Sequence, residues 1–148
     1  MSTGRLAMVA ALIALSVPSS SSADSSDLHL KARVVRSTEG LSNLIVTAVN
    51  PSRLDMCLVY LPGPSNVEAT RNGEALPRGD IAQVRPAMGC YRVPGETDLT
   101  FAIALDALYP QGLPKGTRVC TSLLWRYATA AAVLTRDERP QKVCAVTR

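Results

Sequence analysis

Along much of this chain apolar and polar residues alternate with a period of two. Leu28, Leu30, Ala32 and Val34 alternate with His29, Lys31, Arg33 and Val35, the spacing of a strand with one face on a core and a charged outer face. Leu44 to Asn50 is rich in β-branched residues and stops at Asn50-Pro51-Ser52, so with the turn Ser37-Thr-Glu-Gly40 it predicts a first antiparallel pair. From Leu99 to Leu105, Leu99, Phe101 and Ile103 share one parity against Thr100, Ala102 and Ala104. From Thr117 to Tyr127, Val119, Thr121, Leu123, Trp125 and Tyr127 share one face, with Arg118, Cys120, Ser122, Leu124 and Arg126 on the other. The connection between these last runs holds Pro110, Gly112, Pro114 and Gly116, too broken for a tight hairpin, and is expected to carry the chain from one sheet to another.

Shorter signals fill the rest. Met56 to Leu61 reads as a buried central strand that Pro62-Gly63-Pro64 ends, because proline cannot donate to a ladder. Asn72-Gly73 between short β-compatible runs predicts a type I′ hairpin, which needs positive φ at both central residues. Arg78 to Gly89 is irregular, Cys90 to Val93 is a short strand closed by Pro94-Gly95-Glu96, and Ala128 to Leu134 is ambiguous between a loop and helical turns. Gln141 to Thr147 is the last strand. About eight short strands with no long helical period predict an all-β fold, an immunoglobulin-like antiparallel β-sandwich of about 7–9 strands.

The N-terminus belongs to a different class of segment. Arg5, an apolar run from Leu6 to Val17, a serine-rich stretch and Ala23 before Asp24 form the pattern of a signal peptide over residues 1–23. The apolar run is too short to cross a bilayer, which takes roughly 20 residues. Residues 24–148 then make a single domain, with Asp24 to Asp27 as a frayed polar tail. Only Arg5 of the 16 basic residues is lost with the leader, leaving 15 against 12 acidic ones. The basic residues are scattered and aromatic residues few, which argues against nucleic-acid binding.

Four cysteines allow three pairings. Cys120 and Cys144 fall on consecutive predicted strands and can face each other, which leaves Cys57 and Cys90 as the second pair. Each bridge contributes about 3 to 4 kcal/mol in the chain-entropy account. Both imply an oxidising compartment, periplasmic or extracellular.

Candidate chemistry is sparse. His29 is the only histidine, so a zinc site with two imidazoles cannot be built, and no Gly-x-Ser-x-Gly turn presents a serine for a triad. No Gly-x-x-x-x-Gly-Lys cradle is present, and the acidic residues show no calcium-loop spacing. A carboxylate pair acting on a glycoside stays open as a third class. Arg78-Gly79-Asp80 matches a short adhesion tripeptide. Trp125 shares parity with Val119 and Leu123 and is expected in the core, while Arg126 and Tyr127, the loop from Ala128 to Asp137 and the stretch Pro62, Gly63, Pro64 are the candidate contact surfaces. No metal or other cofactor is expected.

A set of turns and strands carries a resemblance. Asn50-Pro51-Ser52, Val67 to Pro77 around Asn72-Gly73, Val93-Pro-Gly-Glu-Thr97 and the run from Leu99 to Tyr109, followed by a strand led by Gly116, are similar to the immunoglobulin-like domain that precedes the catalytic domain in deuterolysin-type secreted metallopeptidases. The resemblance spans roughly residues 28–127 and implies a fold; the His-Glu-x-x-His of the peptidase itself is absent from this sequence. The chain therefore reads as a secreted or periplasmic non-enzymatic module that binds a protein partner, in its sharpest version an inhibitor or immunity partner of an exported hydrolase. The alternative is a structural or envelope-associated accessory protein.

Overall fold

The computed structural model describes residues 27–80, 88–128 and 138–148, so the predicted leader and most of the alanine-rich stretch lie outside the described residues. Two antiparallel sheets pack face to face. The smaller holds β1 (His29–Arg36), β2 (Ser42–Val49) and β7 (Asp98–Ala104) in the order β1-β2-β7. The larger holds β3 (Met56–Leu58), β4 (Val67–Arg71), β5 (Glu74–Ala75), β6 (Tyr91–Val93), β8 (Arg118–Tyr127) and β9 (Arg139–Val146).

The predicted parities set the inner faces. Ser42, Leu44, Val46 and Ala48 of β2 are buried while their neighbours are half-exposed, and β8 buries Val119, Thr121, Leu123 and Trp125. Two clusters fill the space between the sheets. One gathers around Leu44, Val46, Ile103, Leu105 and Val119, the other around Leu28, Met56, Leu58, Leu123 and Trp125, and Phe101 packs against both. The β7–β8 connection does change sheets, and it buries Leu108 and Tyr109 as a plug under the first cluster, which no alternation announced.

β8 is the spine of the larger sheet. One edge pairs with β9 from Arg118 to Trp125, while β4 and β3 share the other, at Arg118–Thr121 and Trp125–Tyr127. The strand expected over Met56 to Leu61 is thus shorter than predicted. Its last ladder bond is the Val59 amide to the Leu124 carbonyl at 2.9 Å, after which Pro62-Gly63-Pro64 and a single 3-10 turn, Pro64–Asn66, push the chain out before pairing resumes at Val67. Proline's missing donor explains the break. The last strand begins earlier than predicted, at Arg139, and admits Pro140 because β9 pairs with β8 along only one side.

The pairing β1-β2-β7 opposite a sheet centred on β8 has the immunoglobulin-like layout of strands A-B-E against C-F-G, with the C-type strand broken into β3 and β4. The Asn72-Gly73 hairpin joins β4 to β5 with φ of +52° and +83°, as a type I′ turn requires. Both disulfides form as the strand placement indicated. Cys120 and Cys144 are register partners on β8 and β9, with Cα atoms 4.0 Å apart, and Cys57 on β3 joins Cys90 just before β6, at 4.9 Å. Each bridge therefore staples one sheet rather than linking the two. Two disulfides fit an oxidising environment, and among the described residues no helix is long and apolar enough to cross a membrane.

Candidate functional site

The end of the sandwich where β2 finishes and β3 begins is organised by Asn50, a side chain only 1% exposed. Its amide nitrogen donates to the carbonyls of Leu54, Val93 and Pro94 at 2.8, 3.0 and 3.1 Å, and its oxygen accepts the Ser52 amide at 3.0 Å. Three loops are thereby tied to one residue. Ser52 continues the network, its hydroxyl donating to the Leu54 carbonyl and accepting the Leu54 amide. Beside it, Asp55 accepts the Gly95 amide at 2.9 Å and pairs with the Arg92 guanidinium. The Gly95 N–H, and after it Arg92, hold the Asp55 carboxyl below its ordinary 3.8.

On the inner side of the same end, Trp125 meets Tyr127 edge to face, centroids 5.5 Å apart and planes at 79°. Arg139, the register partner of Trp125, lays its guanidinium over both rings, 5.1 Å from the Trp125 centroid and 5.8 Å from that of Tyr127. The same group reaches Asp27 at 2.5 Å. The stack caps the core cluster around Trp125 beside Asp27.

The contact residues expected from sequence are not brought together as one surface. Tyr127 lies on the inner face of β8 with Trp125, whereas Arg126 lies on the outer face, because successive strand residues point to opposite sides. Arg126 sits in a row with its partner Cys57 and, across β3, Arg92. It is half-buried, and its Nε is buried with no hydrogen-bond partner among the described residues. Pro62, expected at an exposed tip, is buried at the break in the sheet; Gly63 is half-buried and Pro64 exposed. Of the loop from Ala128 to Asp137 only Ala128 is described, and its amide donates to the Asp55 carbonyl.

The remaining candidates serve the scaffold. Arg78 of the adhesion-like tripeptide donates to the Pro64 carbonyl at 2.8 Å, and Gly79 has its amide on the Leu108 carbonyl and little room for a side chain, since a Cβ would lie 3.1 Å from the Ala107 oxygen. Cys120 lines a shallow cavity of about 260 Å³ on the outer face, crossed by the Glu68–Lys142 pair at 2.8 Å. Lys142 holds the Glu68 carboxyl below its ordinary 4.5. Among the described residues no group of three or more His, Cys, Asp or Glu side chains could hold a metal ion.

In the sequence Asn50 reads as a strand stop, and Asp55 and Arg139 do not stand out. The Asn-Pro-Ser spacing does carry the signal for a side chain bonding the backbone two residues on. Arg139 has no such signal, since only the register of β9 on β8 places it over Trp125.

The described chain is thus a disulfide-bonded, immunoglobulin-like sandwich with a tightly bonded end at which the buried Nε of Arg126 has no hydrogen-bond partner among the described residues. No known protein family matches it, and no curated protein sequence is similar to it. Among solved structures it is similar to the X-ray structure of the Northeast Structural Genomics Consortium target SoR45, at 12% identity and a TM-score of 0.41, over 84% of this chain and 88% of that one.

Proposed function

We propose that this protein is an exported, non-enzymatic module that binds another protein through the end carrying Arg126, with an inhibitor or immunity partner of an exported hydrolase as its sharpest form. The observation that carries the reading is the Arg126 guanidinium. A buried donor is normally paired, and leaving one unpaired costs about 1 to 3 kcal/mol. Here the Nε has no acceptor among the described residues although Arg92, two strands away, has Asp55. A carboxylate or carbonyl presented by a partner would fill it. The surroundings favour recognition, because Arg126 stands beside Cys57, whose disulfide to Cys90 stiffens that part of the sheet. The resemblance to a non-catalytic sandwich domain of secreted peptidases supports the same reading, as does the signal-peptide pattern of residues 1–23.

The test is capture from extract of the protein's own source, with oxidised protein, reduced protein and the Arg126→Gln variant side by side. The expected result is one exported protein held in near-equal amount, lost on reduction and bound roughly tenfold more weakly by the variant. The same background in all three samples removes the binding reading and leaves a structural, envelope-associated role.

A further inference from the structure

At the end of the sandwich opposite Asn50, a cavity of about 210 Å³ opens between the end of β1, the β7–β8 connection and the residues after β9. Arg36, Lys115 and Arg148 line it, with Val34 and Leu113 forming an apolar wall. These cations come from three separate stretches of chain, and backbone bonding brings two of those stretches together. The Gly116 amide donates to the Thr147 carbonyl and the Thr147 amide to the Thr117 carbonyl, both at 2.9 Å, while the Thr117 amide also reaches the Thr147 hydroxyl at 2.9 Å. Gly116 has φ of +82°, a conformation that glycine adopts without penalty, and it sets the turn that presents Lys115.

All three are exposed and line one cavity, so an anion entering it meets cations from separate stretches of chain. Elsewhere in the molecule Arg53, Arg92, Arg139 and Lys142 each hold a carboxylate. None of the three cavity cations does so among the described residues. Asp106 gives one oxygen to the amide of the cavity-lining Ser42 at 2.6 Å, and the exposed Glu39 on the β1–β2 turn pairs with none of the three cations among the described residues.

We infer that this cavity binds a phosphate group carried on a larger, partly apolar molecule. Arg36 and Lys115 suit a phosphate, and a guanidinium meets two phosphate oxygens at once. The wall of Val34 and Leu113 faces the carbons next to that group. The phosphate can belong to a soluble phosphoester or to a lipid headgroup, and the site chemistry is shared. The inference is independent of the reading of Arg126, which lies at the other end of β8.

The test is amide NMR of the oxidised protein at low ionic strength, titrated with inorganic phosphate. The expected result is saturable shifts at Lys115, Gly116 and Thr147 with a dissociation constant of about 1 mM or tighter. Arg36→Gln and Lys115→Gln each weaken it roughly tenfold, whereas Lys31→Gln, an exposed cation of β1 outside the cavity, leaves it unchanged. All three substituted side chains are exposed, so the variants keep the wild-type spectrum elsewhere. Absence of saturable shifts, or equal weakening by Lys31→Gln, overturns the inference. A second arm, sedimentation with phosphatidylcholine vesicles with and without phosphatidic acid, assigns the source: retention that needs phosphatidic acid and is lost in Arg36→Gln supports a lipid headgroup, and phosphate binding without retention supports a soluble phosphoester.

Discussion

At the Asn50 end of the sandwich Asp27, Asp55 and Glu96 each face an arginine, whereas at the opposite end Arg36, Lys115 and Arg148 face a cavity with no carboxylate paired to them among the described residues. The same residue types do different work at the two ends. At the first, polar side chains hold loops together: Asn50 bonds three carbonyls and Asp55 joins two loops. At the second, loops are held by their own backbone and the side chains are left over. The difference teaches that a basic residue is structural or available according to what the strand order brings within reach, and that its own neighbours in sequence do not decide which.

The largest effect expected from breaking this contrast is at Asn50. Asn50→Ala takes the side-chain donor from one buried and two part-buried carbonyls and costs about 3 kcal/mol in urea unfolding. A loss below about 1 kcal/mol means that the network does not hold that end. Next come two glycines. A Cβ at Gly95 would lie 2.4 Å from the Arg53 carbonyl oxygen, with backbone on both sides of the clash, so Gly95→Ala costs about 2 kcal/mol. Gly40, on the turn at the other end, has open space around it but φ of +84°, so Gly40→Ala costs only the left-handed backbone, about 1 kcal/mol by the same assay.

The charges should separate the ends further. Because the folded-state pKa of Asp55 is lowered, its contribution is present above the ordinary value of 3.8 and is lost as pH falls from there through the lowered value. Arg92→Gln should therefore flatten the acid limb of a stability-against-pH curve, and an unchanged limb would remove Asp55–Arg92 from the account. The smallest effect is at the basic end. Arg36→Gln and Lys115→Gln, without any added anion, should change stability by less than about 0.5 kcal/mol, since neither is exchanged for a lost contact. Alkaline titration adds a control in the core: burial raises the Tyr109 pKa, so its contribution holds below 10.0 and fades as pH rises from there through the raised value.

Much of the scaffold was legible because its signals are local. The alternations of Leu28 to Val34 and Val119 to Tyr127, the positive-φ pair Asn72-Gly73, and the facing of Cys120 with Cys144 each need only a strand's own parity or the succession of two strands. The candidate site was legible only in part. Arg126 and Tyr127 are adjacent in sequence and were grouped, yet the strand period that identified β8 also sends them to opposite faces. Pro62 reads from sequence as part of a contact surface, but a strand that is interrupted and then resumes on the same partner buries it.

By itself, then, the sequence determined which residues turn inward, where the chain turns and which cysteines can meet across neighbouring strands, because φ/ψ preference and side-chain alternation act over a few residues. Only the tertiary structure decided that Asn50 gathers Leu54, Val93 and Pro94, that Leu108 and Tyr109 plug the core, that Arg139 covers Trp125 and that Arg36, Lys115 and Arg148 share one cavity. Apart from Asn50 with Leu54, those meetings join positions far apart along the chain. They depend on the order in which strands are laid beside β2 and β8, which no local preference encodes.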